Sequence, residues 1–145
     1  MLVDHSKDWN VTVSGPAIGP TLRLRPGGHG NFDVMITALV SRKELPDDAA
    51  VKRFVRESAE RLLPTAMQTS LALQPIAGPD ARGYIFHLTE KGREKEPGDF
   101  KELHQGTAVV GPLLLTVTVL THRGDTDTVS AALKTIAGAR YRAKK

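Results

Sequence analysis

The sequence predicts one α+β domain, an antiparallel β-sheet of about six to seven strands packed with two main helices. Three observations predict it. Several segments of the 145-residue chain alternate apolar and polar residues with period two. Two segments switch instead to a helical period. The links between neighbouring strand segments are short and rich in Gly and Pro, so the strands pair as hairpins rather than alternating with helices in βαβ units. The length suits one domain of roughly 100–200 residues. With 40% hydrophobic and 25% charged residues, the chain is neither disordered nor collagen-like. No apolar run approaches the roughly 18 residues of a membrane-spanning helix, and the run at Leu113, Leu114 and Leu115 is broken by threonines. The single domain is expected to have a folded core at 9–138 and a basic tail at 139–145.

Residues 9–13 form a short strand that the Gly15, Pro16, Gly19 and Pro20 cluster ends. Residues 21–25 place Leu22 and Leu24 on one side and Arg23 and Arg25 on the other, a half-buried strand. A loop through Pro26, Gly27, Gly28, His29 and Gly30 leads to 32–40, where Phe32, Val34, Ile36, Ala38 and Val40 make one face wholly apolar. The period then changes. Pro46 suits a first helical turn, and Asp47 and Asp48 complement the positive end of the helix dipole. Val51, Phe54, Val55, Ser58, Ala59, Leu62 and Leu63 share one stripe, with Arg53 four residues before Glu57 and Arg56 four before Glu60 on the wet side, until Pro64 stops the helix. Strands resume at 69–76 and 83–89, the second with Tyr84, Phe86 and Leu88 on one face. Residues 90–99 are charged and carry Gly92, Pro97 and Gly98, an exposed hairpin connection. Strands at 100–110 and 113–121 flank the Gly111-Pro112 turn, and a last helix begins at Asp125 with Val129, Ala132, Leu133 and Ile136 as its core face.

The charged helix after three strands, then Gly83-Tyr84-Ile85-Phe86 leading to a charged hairpin tip, then Gln105-Gly106 before Leu113-Leu114-Leu115-Thr116, resembles small bacterial proteins of the Mog1/PsbP-like fold. That superfamily also includes DcrB-type lipoproteins and the Eag adaptor chaperones of type VI secretion effectors. The resemblance spans roughly Trp9 to Tyr141 and implies a non-enzymatic accessory or adaptor protein. With no lipobox cysteine in the chain, it carries over no lipid anchor.

Charge and composition narrow the function classes. The net charge is +4, but Arg140, Arg142, Lys144 and Lys145 crowd into the last six residues and leave the remainder neutral. A nucleic-acid footprint would be a basic stripe on the folded body, interleaved with aromatics. Only Tyr141 sits among these charges, so a solvated tail is expected and no nucleic-acid partner. The absence of cysteine excludes disulfides, thiol nucleophiles and cysteine zinc sites. Residues 1–10 lack a basic segment followed by an apolar stretch, so no signal peptide is expected, and the compartment, bacterial cytoplasm or periplasm, stays open.

Candidate chemistry is sparse. Gly27-Gly28-His29-Gly30 precedes a strand and is not followed by Gly-Lys-Ser/Thr, so it is not a phosphate cradle. None of the serines sits in a Gly-x-Ser-x-Gly elbow. Asp47 with Asp48, and Asp125 with Asp127, sit at helix starts, where capping accounts for them. No catalytic residue, metal ligand set or cofactor motif is therefore expected. His87 and His104 stand apart. If the hairpin centres near Lys95 they face one another across neighbouring strands, about 5 Å apart at Cβ. A zinc site usually needs three or four ligands, and a structural pair is the plainer reading. Glu102 is the nearest further candidate, and His122 lies beyond the end of the next strand.

The sheet offers a second lead. Met35, Thr37 and Leu39, then Ile85, His87 and Thr89, then Leu114, Thr116, Thr118 and Leu120 read as one mixed face opposite the wholly apolar one. Two arrangements fit. Each helix covers one face, or both helices cover one side and the mixed face docks a protein partner, a second copy or an apolar ligand. Met35, Leu39, His87, His104, Thr116 and Thr118 are the candidate binding residues. Function is expected to be partner binding by an accessory domain or homodimer, with small-molecule or metal binding around His87 and His104 as the alternative.

Overall fold

The computed structural model describes residues 1–28, 31–92 and 99–143. His29, the hairpin centre near Lys95, and Lys144 and Lys145 lie outside the described residues. The elements are β1 (Trp9–Ser14), β2 (Thr21–Pro26), β3 (Phe32–Val40), α1 (Asp48–Leu62), β4 (Leu73–Ala77), β5 (Ala81–Thr89), β6 (Glu102–Val110), β7 (Leu113–Thr121) and α2 (Thr126–Ala137). All strands join one antiparallel sheet in the order β1-β2-β3-β7-β6-β5-β4. After β3, the connection through α1 carries the chain to the far edge. The remaining strands then return as a meander and close beside β3. No helix among the described residues is long and apolar enough to cross a membrane.

Each helix takes one face. Ala132 and Ile136 of α2 pack with Val34, Ile36, Leu115, Val117, Val119 and Ile85, whereas Val51, Val55 and Ala59 of α1 pack with Phe86, Leu88 and Val109. Of the two arrangements the sequence allows, the one with a helix on each face is the one observed. The buried stripe of α1 is narrower than the sequence pattern: Val51, Val55 and Ala59 are buried and Phe54 is 52% exposed. Spacing of four keeps these small side chains in one row, and Phe54 falls beyond the sheet contact. Asp47 caps α1 by accepting from the Ala50 N–H at 2.8 Å, and Asp125 caps α2 by accepting from the Thr128 N–H at 3.3 Å.

The helices cover unequal areas. α1 rests on β4, β5 and β6 and leaves the β2–β3–β7 part of its face without a helix. There Arg23 and Arg25 both reach Asp33, which is only 5% exposed, and Arg23 Nε donates to Oδ1 at 2.8 Å and to Oδ2 at 3.0 Å. This charge-assisted grip supports a carboxylate that burial alone would penalise.

Two boundaries differ from the periodicity. The expected strand at 69–76 starts at Leu73, because the segment before it is held elsewhere: Met67 N–H donates to Thr89 O, and Gln68 bonds Thr89 through both its amide atoms. The strand expected at 100–110 begins at Glu102, since Lys101 is buried and turns its ammonium to Asp99 at 3.2 Å and Glu90 at 3.6 Å. The expected boundary of a tail at 139 also shifts. Ala139 is buried, Arg140 exchanges two backbone hydrogen bonds with Leu2, and its guanidinium pairs with Asp4 at 2.7 Å. These contacts also bring the segment before residue 9 onto the fold.

The unequal faces of α1 give a direct check. Val55→Ala is expected to lower unfolding free energy by about 2 kcal/mol, while Phe54→Glu changes it by less than about 0.5 kcal/mol. Urea denaturation of both variants measures the difference.

Candidate functional site

The ladder divides the candidate residues between two faces. β3 pairs Met35 with Thr118 and Thr37 with Thr116 on β7, and places Leu39 one step further along. These residues share the face of α1. On β5, however, Ile85 lies in register with Gly106, which lies opposite Val117, which lies opposite Ile36. Ile85, His87 and Thr89 thus belong to the wholly apolar face under α2, not to the mixed face with Met35. The correction has a simple origin. Tyr84, Phe86 and Leu88 must be apolar as well, because they meet α1, so apolarity does not distinguish the two sides of β5.

His87 and His104 do lie directly opposite one another. Their rings stack nearly parallel, with centroids 4.3 Å apart and 10° between planes. The next row across the sheet is Thr89, Glu102, Thr121 and Phe32. Since side chains lean toward diagonal neighbours, Glu102 reaches His87, whose Nε2 donates to Oε2 of the carboxylate. The same oxygen accepts from the Thr89 hydroxyl at 2.9 Å, and Thr89 Oγ1 accepts from Gln68 Nε2 at 3.1 Å. A chain of donors thus runs from Gln68 through Thr89 to Glu102, with His87 closing it from the other side.

Above this row stands the N-terminal half of α2. Between them is a cleft of about 350 Å³, with His87, Glu102, His104 and Thr121 on the sheet side, His122 and Asp125 from the turn, and Val129, Ser130 and Leu133 from the helix. His122 therefore belongs to the same cleft as the stacked pair. It stacks obliquely on Phe100, centroids 5.0 Å apart, and its Nε2 lies 3.2 Å from Asn31 Nδ2.

Two buried atoms of wall residues, His104 Nδ1 and Thr121 Oγ1, have no hydrogen-bond partner among the described residues. His104 is 7% exposed and Thr121 is 0% exposed. An unpaired buried polar atom costs roughly 1–3 kcal/mol, so natural cores rarely keep one. Burial pushes the His104 ring down to about 4, the charge of His87 pushes the same way, and Glu102 opposes both. At neutral pH His104 is an uncharged imidazole, able to donate from one nitrogen and accept at the other.

The stacked pair is not arranged as a metal chelate. Imidazole lone pairs lie in the ring plane, so two parallel rings 4.3 Å apart aim their nitrogens along parallel directions instead of at one ion. No three His, Asp or Glu residues among the described residues converge on a metal position. Pattern reasoning reached His87, His104 and Glu102. It missed Thr121 and Gln68 as parts of the site, and it read Val129 and Leu133 as core alone, since nothing in local spacing tells where α2 crosses the sheet.

The lowered His104 value fixes a pH dependence. The unfolded chain protonates this ring near 6.5 and the folded chain only near 4, so the unfolded state binds the extra proton between those values. Stability is complete above about 6.5 and falls as pH drops towards 4, by up to about 3 kcal/mol from this group. In urea denaturation at pH 7, 5 and 4, His104→Leu is expected to show a correspondingly shallower loss than the parent chain. Comparison of the chain with protein-family models, with curated proteins and with solved structures finds no match to any of them.

Proposed function

We propose that the chain is a non-catalytic binding domain that holds a small molecule in the cleft between the His87–His104 stack and α2. One observation carries this reading: His104 and Thr121 belong to the cleft wall, and their Nδ1 and Oγ1 atoms are buried and without partners among the described residues. Neither atom is exposed. A ligand with a polar end that both donates and accepts would satisfy them by displacing the side chains that close over them, while its apolar body lies along Val129 and Leu133. Glu102 is already engaged by His87 and Thr89, so its role is to hold the stack in place. The reading assigns no reaction to these groups.

A protein-binding role has its own support in the uncovered part of the α1 face. Leu39 is 41% exposed beside Met35, Thr116 and Thr118, an adaptable surface of the kind an accessory or adaptor domain presents. The order of three strands, helix, four strands and helix, with one helix on each face, is consistent with the Mog1/PsbP-like sandwich and adds weight to an accessory role.

The test compares the parent chain with Thr121→Val and His104→Phe. Thr121→Val removes an unpaired hydroxyl while keeping shape, and is expected to leave stability unchanged or raise it by about 1 kcal/mol. A thermal-shift screen of polar aromatic and aliphatic fragments is expected to yield hits that stabilise the parent chain, by about 2.7 kcal/mol at a hundred times the dissociation constant. The same fragments are expected to lose their effect in both variants. Hits that stabilise parent and variants equally would remove the cleft from consideration.

A further inference from the structure

The two edges of the sheet are built differently. β4 is one edge, and it carries Pro75 in its middle, which removes a backbone donor and blocks pairing. β1 is the other edge. Its sequence, Trp-Asn-Val-Thr-Val-Ser, contains no charge and no proline, and every residue after Trp9 is exposed. Natural sheets usually protect an edge with lysine, proline, a bulge or a covering segment. Residues 9–14 have none of the first two.

The hydrogen-bonding phase of β1 shows which groups are free. Gly27 N–H donates to Asp8 O at 2.7 Å, in line with the pairing of Trp9 with Pro26 that continues to Ser14 with Thr21. Bonded pairs alternate along an antiparallel ladder, so Asn10, Thr12 and Ser14 turn their backbone to β2. Pro26 has no N–H to offer Trp9, which agrees with this phase. The N–H and C=O groups of Val11 and Val13 therefore point away from the sheet.

The side chains repeat the theme. Val11 and Val13 stand opposite Leu24 and Leu22, hence on the α2 face, and are 38% and 69% exposed. They border a mainly apolar groove of about 480 Å³ with Leu22, Val40 and Tyr141. Val40 is 62% exposed.

We propose that β1 pairs with β1 of a second copy of this chain, antiparallel about a two-fold axis normal to the sheet and midway between the two Thr12 residues. The strand is its own complement. About that axis Val11 meets Val13 of the second copy in a hydrogen-bonded pair, and the reverse pair repeats it. Thr12 meets Thr12, and Asn10 meets Ser14. No like charges are brought together, and the four valines form one apolar cluster continuous with both grooves. A two-fold contact of this kind uses the same patch on both partners. Its free backbone groups call for an extended strand, and the Asn-Val-Thr-Val-Ser pattern supplies a matching one in each copy.

Light scattering after size exclusion on the full chain, at several concentrations, tests the proposal. The parent chain is expected to run at twice the 15.7 kDa of one copy. Val11→Lys/Val13→Lys is expected to halve that mass while keeping the far-UV spectrum and melting behaviour of a folded domain. Val13→Pro, which removes one outward N–H and leaves the bonds to β2, gives the same result. Leu39→Glu/Thr118→Glu, on the opposite face, keeps the dimer. A parent chain that stays monomeric at every concentration overturns the proposal. So does a dimer that survives both edge variants, or one that only the Leu39/Thr118 change dissolves.

Discussion

The alternation of side chains across the central β3–β7–β6 ladder is the constraint on which the rest of this molecule depends. Nine residues of β7 are paired on both sides, with β3 and with β6, and each pairing fixes the face of every residue in the neighbouring strand. A shift of one residue would carry Val34, Ile36, Leu115, Val117 and Val119 out of the core together. Because the ladder extends in phase to β5, it also decides that His87 meets α2 while Phe86 meets α1. The position of the stacked imidazoles is thus a consequence of packing elsewhere. Nothing local to positions 87 and 104 dictates it.

At the end of the sheet where the two imidazoles stack, polar groups accumulate in a place where the sheet face is otherwise aliphatic. Glu102 is well supplied with donors, and its charge offsets part of the cost of placing two imidazoles in contact. His104 Nδ1 and Thr121 Oγ1 find no partner among the described residues. The contrast between a satisfied carboxylate and its unsatisfied neighbours is what distinguishes this cleft from a polar patch. Networks inside a protein either close or cost stability, and this one closes on only one side.

Much of the fold was legible because period and punctuation agree. Val51, Val55 and Ala59 fall where a helical stripe predicts, Asp47 and Asp125 cap as their positions suggest, and the His87–His104 pairing follows from a symmetric hairpin. Phe54 was not legible as exposed, because its spacing fits the stripe and only the width of the sheet contact excludes it. Nor was the true face of Ile85, His87 and Thr89, because a strand covered on both sides carries no polar side to orient it. The cleft itself depends on where α2 crosses β5, β6 and β7. That placement follows from tertiary packing of Ala132 and Ile136, and no short-range pattern encodes it.

Pro75 has a consequence beyond the strand that contains it. A sheet that could accept a neighbour at both edges would add copies without limit, as in a cross-β fibre. Here the ring of Pro75 interrupts the donor row on one edge, so each molecule has a single site for growth. In the proposed dimer, edge pairing at β1 then saturates at once. A single imino acid about sixty residues away in sequence converts an open-ended risk into a finite assembly, which is a matter of stoichiometry as much as of stability.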